Sequence, residues 1–177
     1  MKDIIVTVLS LTVVNNYVAS KVMGVPNAFV KDTKKINHLG LFTLCTIAVA
    51  GILGLVIANA LNGLGFGFMS LPVNALVSAL VALILSKVLK ADKTELVLTI
   101  FNAAVIGCVC LLQSQGIELA QSYLYTIGAG VSYLVAMYMV AGVKSRIDEK
   151  AIPSNFKGLP IEILALGIIA LAVLAFK

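Results

Sequence analysis

Asn15 and Asn16 stand side by side in the stretch LTVVNNYVASKVMG (residues 11–24), with Lys21 further along the same stretch. Asn102 stands alone in LTIFNAAVIG (98–107). All four interrupt long apolar runs, where amides and an ammonium can serve a polar solute, an ion or freed backbone groups. Cys45, Cys108 and Cys110 also lie inside apolar runs; as thiolates they are the ligands that iron or zinc takes. His38 and Glu162 are titratable groups at the edges of such runs. Other common chemistries lack residues to carry them: no phosphate-cradling glycine loop, zinc spacing, Ser-His-Asp set or carboxylate pair is present. Three cysteines, none in a loop, also argue against a disulfide framework.

Membrane helices must position these residues. The 177 residues are 60% hydrophobic and 12% charged, with a mean hydropathy of +1.07, whereas a soluble domain carries about 25% charged residues. A single all-α polytopic membrane domain follows. A span needs about 20 apolar residues. Six stretches qualify: 3–23, 39–61, 70–89, 95–114, 119–143 and 159–176. Lys2-Asp3 and the lack of a small-residue cleavage pattern lead us to expect that the first stretch stays in the membrane.

Charge sets the expected orientation. Lys21, Lys31, Lys34, Lys35, Lys87, Lys90, Lys93, Lys144, Arg146, Lys150 and Lys157 gather in or beside alternate breaks. The intervening breaks hold no basic residue, and the one at 113–118 holds only Glu118. Basic loops stay in the cytoplasm, so both termini are expected outside a bacterial or archaeal cytoplasmic membrane, among its lipids. The net charge of +5 is then a topology signal. No basic stripe with interleaved aromatics lies outside those loops, so nucleic acid is not an expected partner.

The stretches beginning at Leu11 and Leu98 align. Leu11/Leu98, Thr12/Thr99, Asn15/Asn102 and Val18/Val105 are identical at an offset of 87 residues, nearly half the chain. Three spans per half would insert the second half (90–177) upside down relative to the first (1–89), the inverted repeat of many transporters. Stretches one and four also carry helix breakers: Gly24 and Pro26 after one, Gly107 within four. The expectation is that both are interrupted at mid-membrane, with Asn15, Asn16, Asn102 and Lys21 forming a central polar site. A second reading of the amides also stands: helix-to-helix hydrogen bonds, worth about 0.6–2 kcal/mol each.

The motifs resemble those of the RnfA-like subunits of the Rnf/Nqr family. VNNYVASKVMG is similar to the family's first-span motif, where VNN is followed by an aromatic, a basic residue and a glycine. FNAAVIG resembles the fourth-span motif TNCAVLG, and PSNFKG resembles the P-x-x-F-R-G stretch before the last helix. The resemblance implies six spans as inverted halves and pairing with a homologous membrane subunit. It also implies an ion-translocating (Na⁺ or H⁺) electron-transport complex whose flavin and iron–sulfur groups lie partly in other subunits. In that family each subunit of the pair supplies two cysteines to a mid-membrane iron–sulfur centre. Here Pro26 and Ala103 stand at those positions, and neither has a donor atom for iron. This chain alone is therefore expected to bind no metal or cofactor and to have no catalytic residues. An alternative use of the same fold is a non-redox transporter or channel-like protein, dimeric with a second copy of itself.

Substitute ligands are poorly placed. Cys108 lies five residues past Ala103, about 7.5 Å along a helix. Cys108 and Cys110 are two apart and point to opposite sides. We expect the cysteines to be small buried hydrophobes. Lys21 either lies within the membrane beside a partner or snorkels from the end of a plain helix. Glu162 either complements the dipole of the last helix or serves as a proton or cation ligand. His38 reads as interfacial, as do the end-of-span tyrosines of stretch five. Gly128 and Gly130 are expected to permit close helix approach.

Overall fold

A computed structural model describes residues 33–114, 119–147 and 152–175. Among them are six α-helices and no strand: α1 (Thr33–Gly63), α2 (Ser70–Val88), α3 (Lys93–Ile100), α4 (Ala103–Ser114), α5 (Leu119–Lys144) and α6 (Leu159–Leu174). Stretches of sufficient length and hydropathy to cross a membrane cover Lys35–Gly63, Gly67–Val88, Lys93–Leu112 and Gln121–Val143. These match the second to fifth expected spans. The first expected span, with Asn15, Asn16, Lys21, Gly24 and Pro26, lies outside the described residues. Among the described residues the apolar part of α6, Ile163–Ala172, is shorter than a span.

α1 is the centre of the bundle. Its 31 residues extend about 45 Å, and it packs against α5, α2, α4 and α3. Gly51 and Gly54 let its neighbours approach: a Cβ at Gly51 would overlap the Thr126 side chain of α5, and one at Gly54 would lie 2.8 Å from Asn74 Oδ1 of α2. From the other side, a Cβ at Gly130 of α5 would sit 3.2 Å from the Leu44 carbonyl oxygen of α1. Small residues at crossings are how apolar helices gain packing area where water provides no drive for association.

The buried polar side chains sit within an apolar core, and the outward faces are apolar as well. On α2 the buried positions are Asn74, Ser78, Val81 and Ala82, spaced i, i+4, i+7, i+8 on one face. Leu71, Leu76, Leu80, Leu83 and Ile84 are exposed. Such a surface suits lipid and would aggregate in water. Interior hydroxyls are satisfied locally, Ser78 donating to the Asn74 carbonyl, Thr46 to Phe42 and Thr126 to Ser122, the back-bonding open to Ser and Thr in helices.

The fourth span is broken, but not where glycine suggested. α3 stops at Ile100 and α4 starts at Ala103, with Phe101 and Asn102 between. Gly107 lies inside α4 and breaks nothing: an internal helical glycine costs about 1 kcal/mol and is tolerated. Asn102 is the tenth of the twenty residues from Lys93 to Leu112, the midpoint of the apolar stretch.

Gly51 offers a direct test of the packing. Gly51→Ala should lower thermal stability in detergent by about 1–3 kcal/mol through overpacking against Thr126. Gly63→Ala, where a Cβ meets nothing within 4 Å, should leave it unchanged. Equal melting temperatures for the two variants would refute the close approach.

Candidate functional site

The break is built around one amide. Asn102 is fully buried. Its Oδ1 accepts the Ala104 N–H at 2.9 Å, as a helix N-cap does. Its carbonyl accepts from Val105 at 3.0 Å and Ile106 at 3.3 Å, and its own N–H donates to the Thr99 carbonyl at 3.2 Å. Nδ2 donates to the Tyr133 hydroxyl of α5 at 3.0 Å. That hydroxyl is also hydrogen-bonded with Thr43 of α1, and Thr43 Oγ1 lies 3.1 Å from Thr99 Oγ1 of α3. Thr43, Thr99, Asn102 and Tyr133 are all at most 1% exposed. Four helices are thus tied by one hydrogen-bonded chain, Asn102–Tyr133–Thr43–Thr99. Both ends of the Asn102 amide are engaged within the protein, so its first chemical task is to satisfy the break.

The exposed side of the break is different. Phe101 is 73% exposed and Ala103 is also exposed. Ala103 therefore faces outward from this chain at the midpoint of the span. Of the three cysteines, Cys108 is buried, and Cys45 and Cys110 are half-buried. Among the described residues, no three His, Cys, Asp or Glu side chains converge where a metal could bind.

A second buried amide has no comparable support. Asn74 on α2 is 2% exposed, facing Gly54 of α1 and the Cys110 thiol of α4. A thiol is a weak partner, and neither amide atom has a hydrogen bond of acceptable geometry. At the far end of the bundle, His38 links α1 to the α2–α3 turn. Its Nδ1 lies 3.0 Å from Glu95 Oε2, and its Nε2 lies 3.0 Å from the Leu89 carbonyl. Glu95, buried at the start of α3, also accepts the Asp92 N–H at 3.0 Å. His38 is thus a structural clamp more than an interfacial residue. The Lys35–Asp92 pair beside it, at 3.7 Å, is exposed on both sides and worth little.

Of the expected polar site, the structure places Asn102 alone; Asn15, Asn16 and Lys21 lie outside the described residues. The Glu162 side chain does too. Tyr133, Thr43 and Thr99 do not stand out from sequence as site residues. The signal that marks Asn102, a polar residue inside an apolar run, marks Asn74 equally.

Fold and break define the class: a multi-pass helical membrane protein with an interrupted span. The family model described as "Rnf-Nqr subunit, membrane protein" matches residues 4–177, and the chain belongs to that family. It is 27% identical to the A component of the ion-translocating oxidoreductase complex of Azoarcus sp. (strain BH72), over 99% of this chain and 97% of that one. Identity to the Rhodobacter capsulatus component of the same name is 29%, again over 99% and 97% of the two chains. The A component of the Na(+)-translocating ferredoxin:NAD(+) oxidoreductase complex of Acetobacterium woodii is 24% identical over 98% of this chain and 96% of its own.

A double-mutant cycle tests the network. Tyr133→Phe and Asn102→Ala should each cost about 1–3 kcal/mol by leaving buried partners unpaired. The double variant should cost less than their sum, because residues in one network couple. Strict additivity in detergent melts would mean the two side chains do not share the bond.

Proposed function

We propose that this chain is an RnfA-like membrane subunit of an ion-translocating electron-transport complex, keeping the scaffold without its own iron–sulfur ligands. The observation that carries the reading is the capped break at the midpoint of the fourth span, within a chain that aligns end to end with the A component of such complexes. The exposed Phe101–Ala103 face supports a homologous membrane partner at the break. Pro26 and Ala103 have no donor atom for iron, which supports redox centres carried by other subunits. Six spans, inverted halves at 1–89 and 90–177, and both termini outside remain part of this proposal; the sixth crossing requires α6 to carry Ala172 away from Gly142 and Arg146, beside which it lies in this structure. The proposal rests on the charge pattern and the Leu11/Leu98 alignment.

One observation favours a second reading. Ala103 has no donor for iron, and the face it occupies is available to a second copy of this chain. A non-redox transporter or channel-like dimer would use that surface without a cluster. Purification without oxygen separates the two. The expected result is no stoichiometric iron or sulfide on the isolated chain, together with co-purification of flavin- and iron–sulfur-containing subunits from the native membrane. A homodimer with no such companions would decide for the second reading. One cluster per dimer, lost in Cys108→Ser or Cys110→Ser, would overturn both.

We further propose that Asn15 is the pseudo-symmetric counterpart of Asn102 and caps a matching break. Asn15→Leu and Asn102→Leu should then impair transport or complex activity by similar factors. Asn16→Leu should be milder, because Ala103 occupies the equivalent place in the second half. Full stability and full activity in both leucine variants would exclude the role.

A further inference from the structure

An apolar groove of about 490 Å³ lies between the end of α5 and the end of α6. Tyr138 and Gly142, about one turn apart on α5, form one side with Arg146 just past the helix end, and Ile169 and Ala172 of α6 form the other. Gly142 keeps the floor low, since a Cβ there meets nothing within 4 Å. The lining is hydrocarbon except at Tyr138 and Arg146. A water-soluble ligand would therefore leave its polar groups unpaired along most of the groove. Arg146 is exposed, lies just beyond the end of α5, and has no ion-pair partner among the described residues. The break it belongs to, 144–157, carries four basic residues against Asp148 and Glu149.

We propose that this groove binds one anionic phospholipid, its acyl chain between α5 and α6 and its phosphate on the Arg146 guanidinium. The charge complementarity selects the occupant. A guanidinium grips phosphate through paired N–H donors, and basic pockets between membrane helices favour anionic headgroups. A zwitterionic lipid gains the groove but less from the arginine. A protein helix would gain nothing from a lone cation at the groove's end unless it carried an acid there.

The test is native mass spectrometry of the full chain, in whatever complex it purifies, exchanged into nanodiscs of phosphatidylglycerol or phosphatidylcholine. One retained lipid is expected, with phosphatidylglycerol preferred by about five-fold, the effect of one basic residue at a membrane surface. Arg146→Gln should abolish the preference, Arg146→Lys should keep most of it, and Gly142→Phe should expel lipid of both kinds. Arg146 is exposed, so its variants read binding and not folding. Equal retention of the two lipids by the wild type, or an unchanged preference in Arg146→Gln, would overturn the proposal. So would a photo-crosslinker at Ala172 that captures a polypeptide in place of a lipid.

Discussion

An interrupted helix inside hydrocarbon exposes backbone groups that no solvent can satisfy, and each one left unpaired costs several kcal/mol. The rest of this bundle is arranged around that constraint. Asn102 supplies a cap to the restarting helix with one end of its amide, and with the other reaches Tyr133. The hydroxyls of Thr43 and Thr99 complete the chain and bring in α1 and α3. Because every member is buried, the low dielectric strengthens these bonds and equally punishes the loss of any one. The break is therefore held by side chains from both of its own halves and from two neighbouring helices.

That network requires α1 and α5 to lie close together, since Thr43 and Tyr133 are on different helices. Glycines make this possible. Gly51 faces Thr126, and Gly130 faces the Leu44 backbone, about two turns and one turn before the level at which Tyr133 projects. Bulk at these positions would move Tyr133 away from Asn102 as a consequence of moving the helix. Packing and polar satisfaction are thus one problem here, solved by small residues where the backbones meet and hydroxyls where they diverge.

Much of this was readable in the chain, for identifiable reasons. Spans two to five follow from apolar length alone, because a membrane imposes one length scale on every crossing. The importance of Asn102 was readable because a buried amide in an apolar run demands a partner. The break point was not. Glycine at 107 looked like the weak place, yet a helix inside a membrane has nothing to gain by opening unless something receives its free groups. Asn102 provides that reception and Gly107 cannot. Tyr133 was hidden for another reason: tyrosine on a membrane helix has an ordinary interfacial role, and only tertiary contact distinguishes a buried phenol. For α6 apolarity alone does not decide, because among the described residues its apolar part, Ile163–Ala172, is shorter than a span.

The two buried amides of the described bundle sharpen the difference between holding and permitting. Asn102 sits where the backbone is open, and both ends of its amide are hydrogen-bonded. Asn74 sits on an intact helix, between Gly54 and Cys110, with neither amide atom properly paired. An apolar side chain of suitable shape would be more stable there, since an unsatisfied buried polar group costs about 1–3 kcal/mol. Stability therefore does not account for Asn74. Its mechanical consequence is plain, however: no side-chain hydrogen bond of Asn74 anchors α2 to α1 or α4.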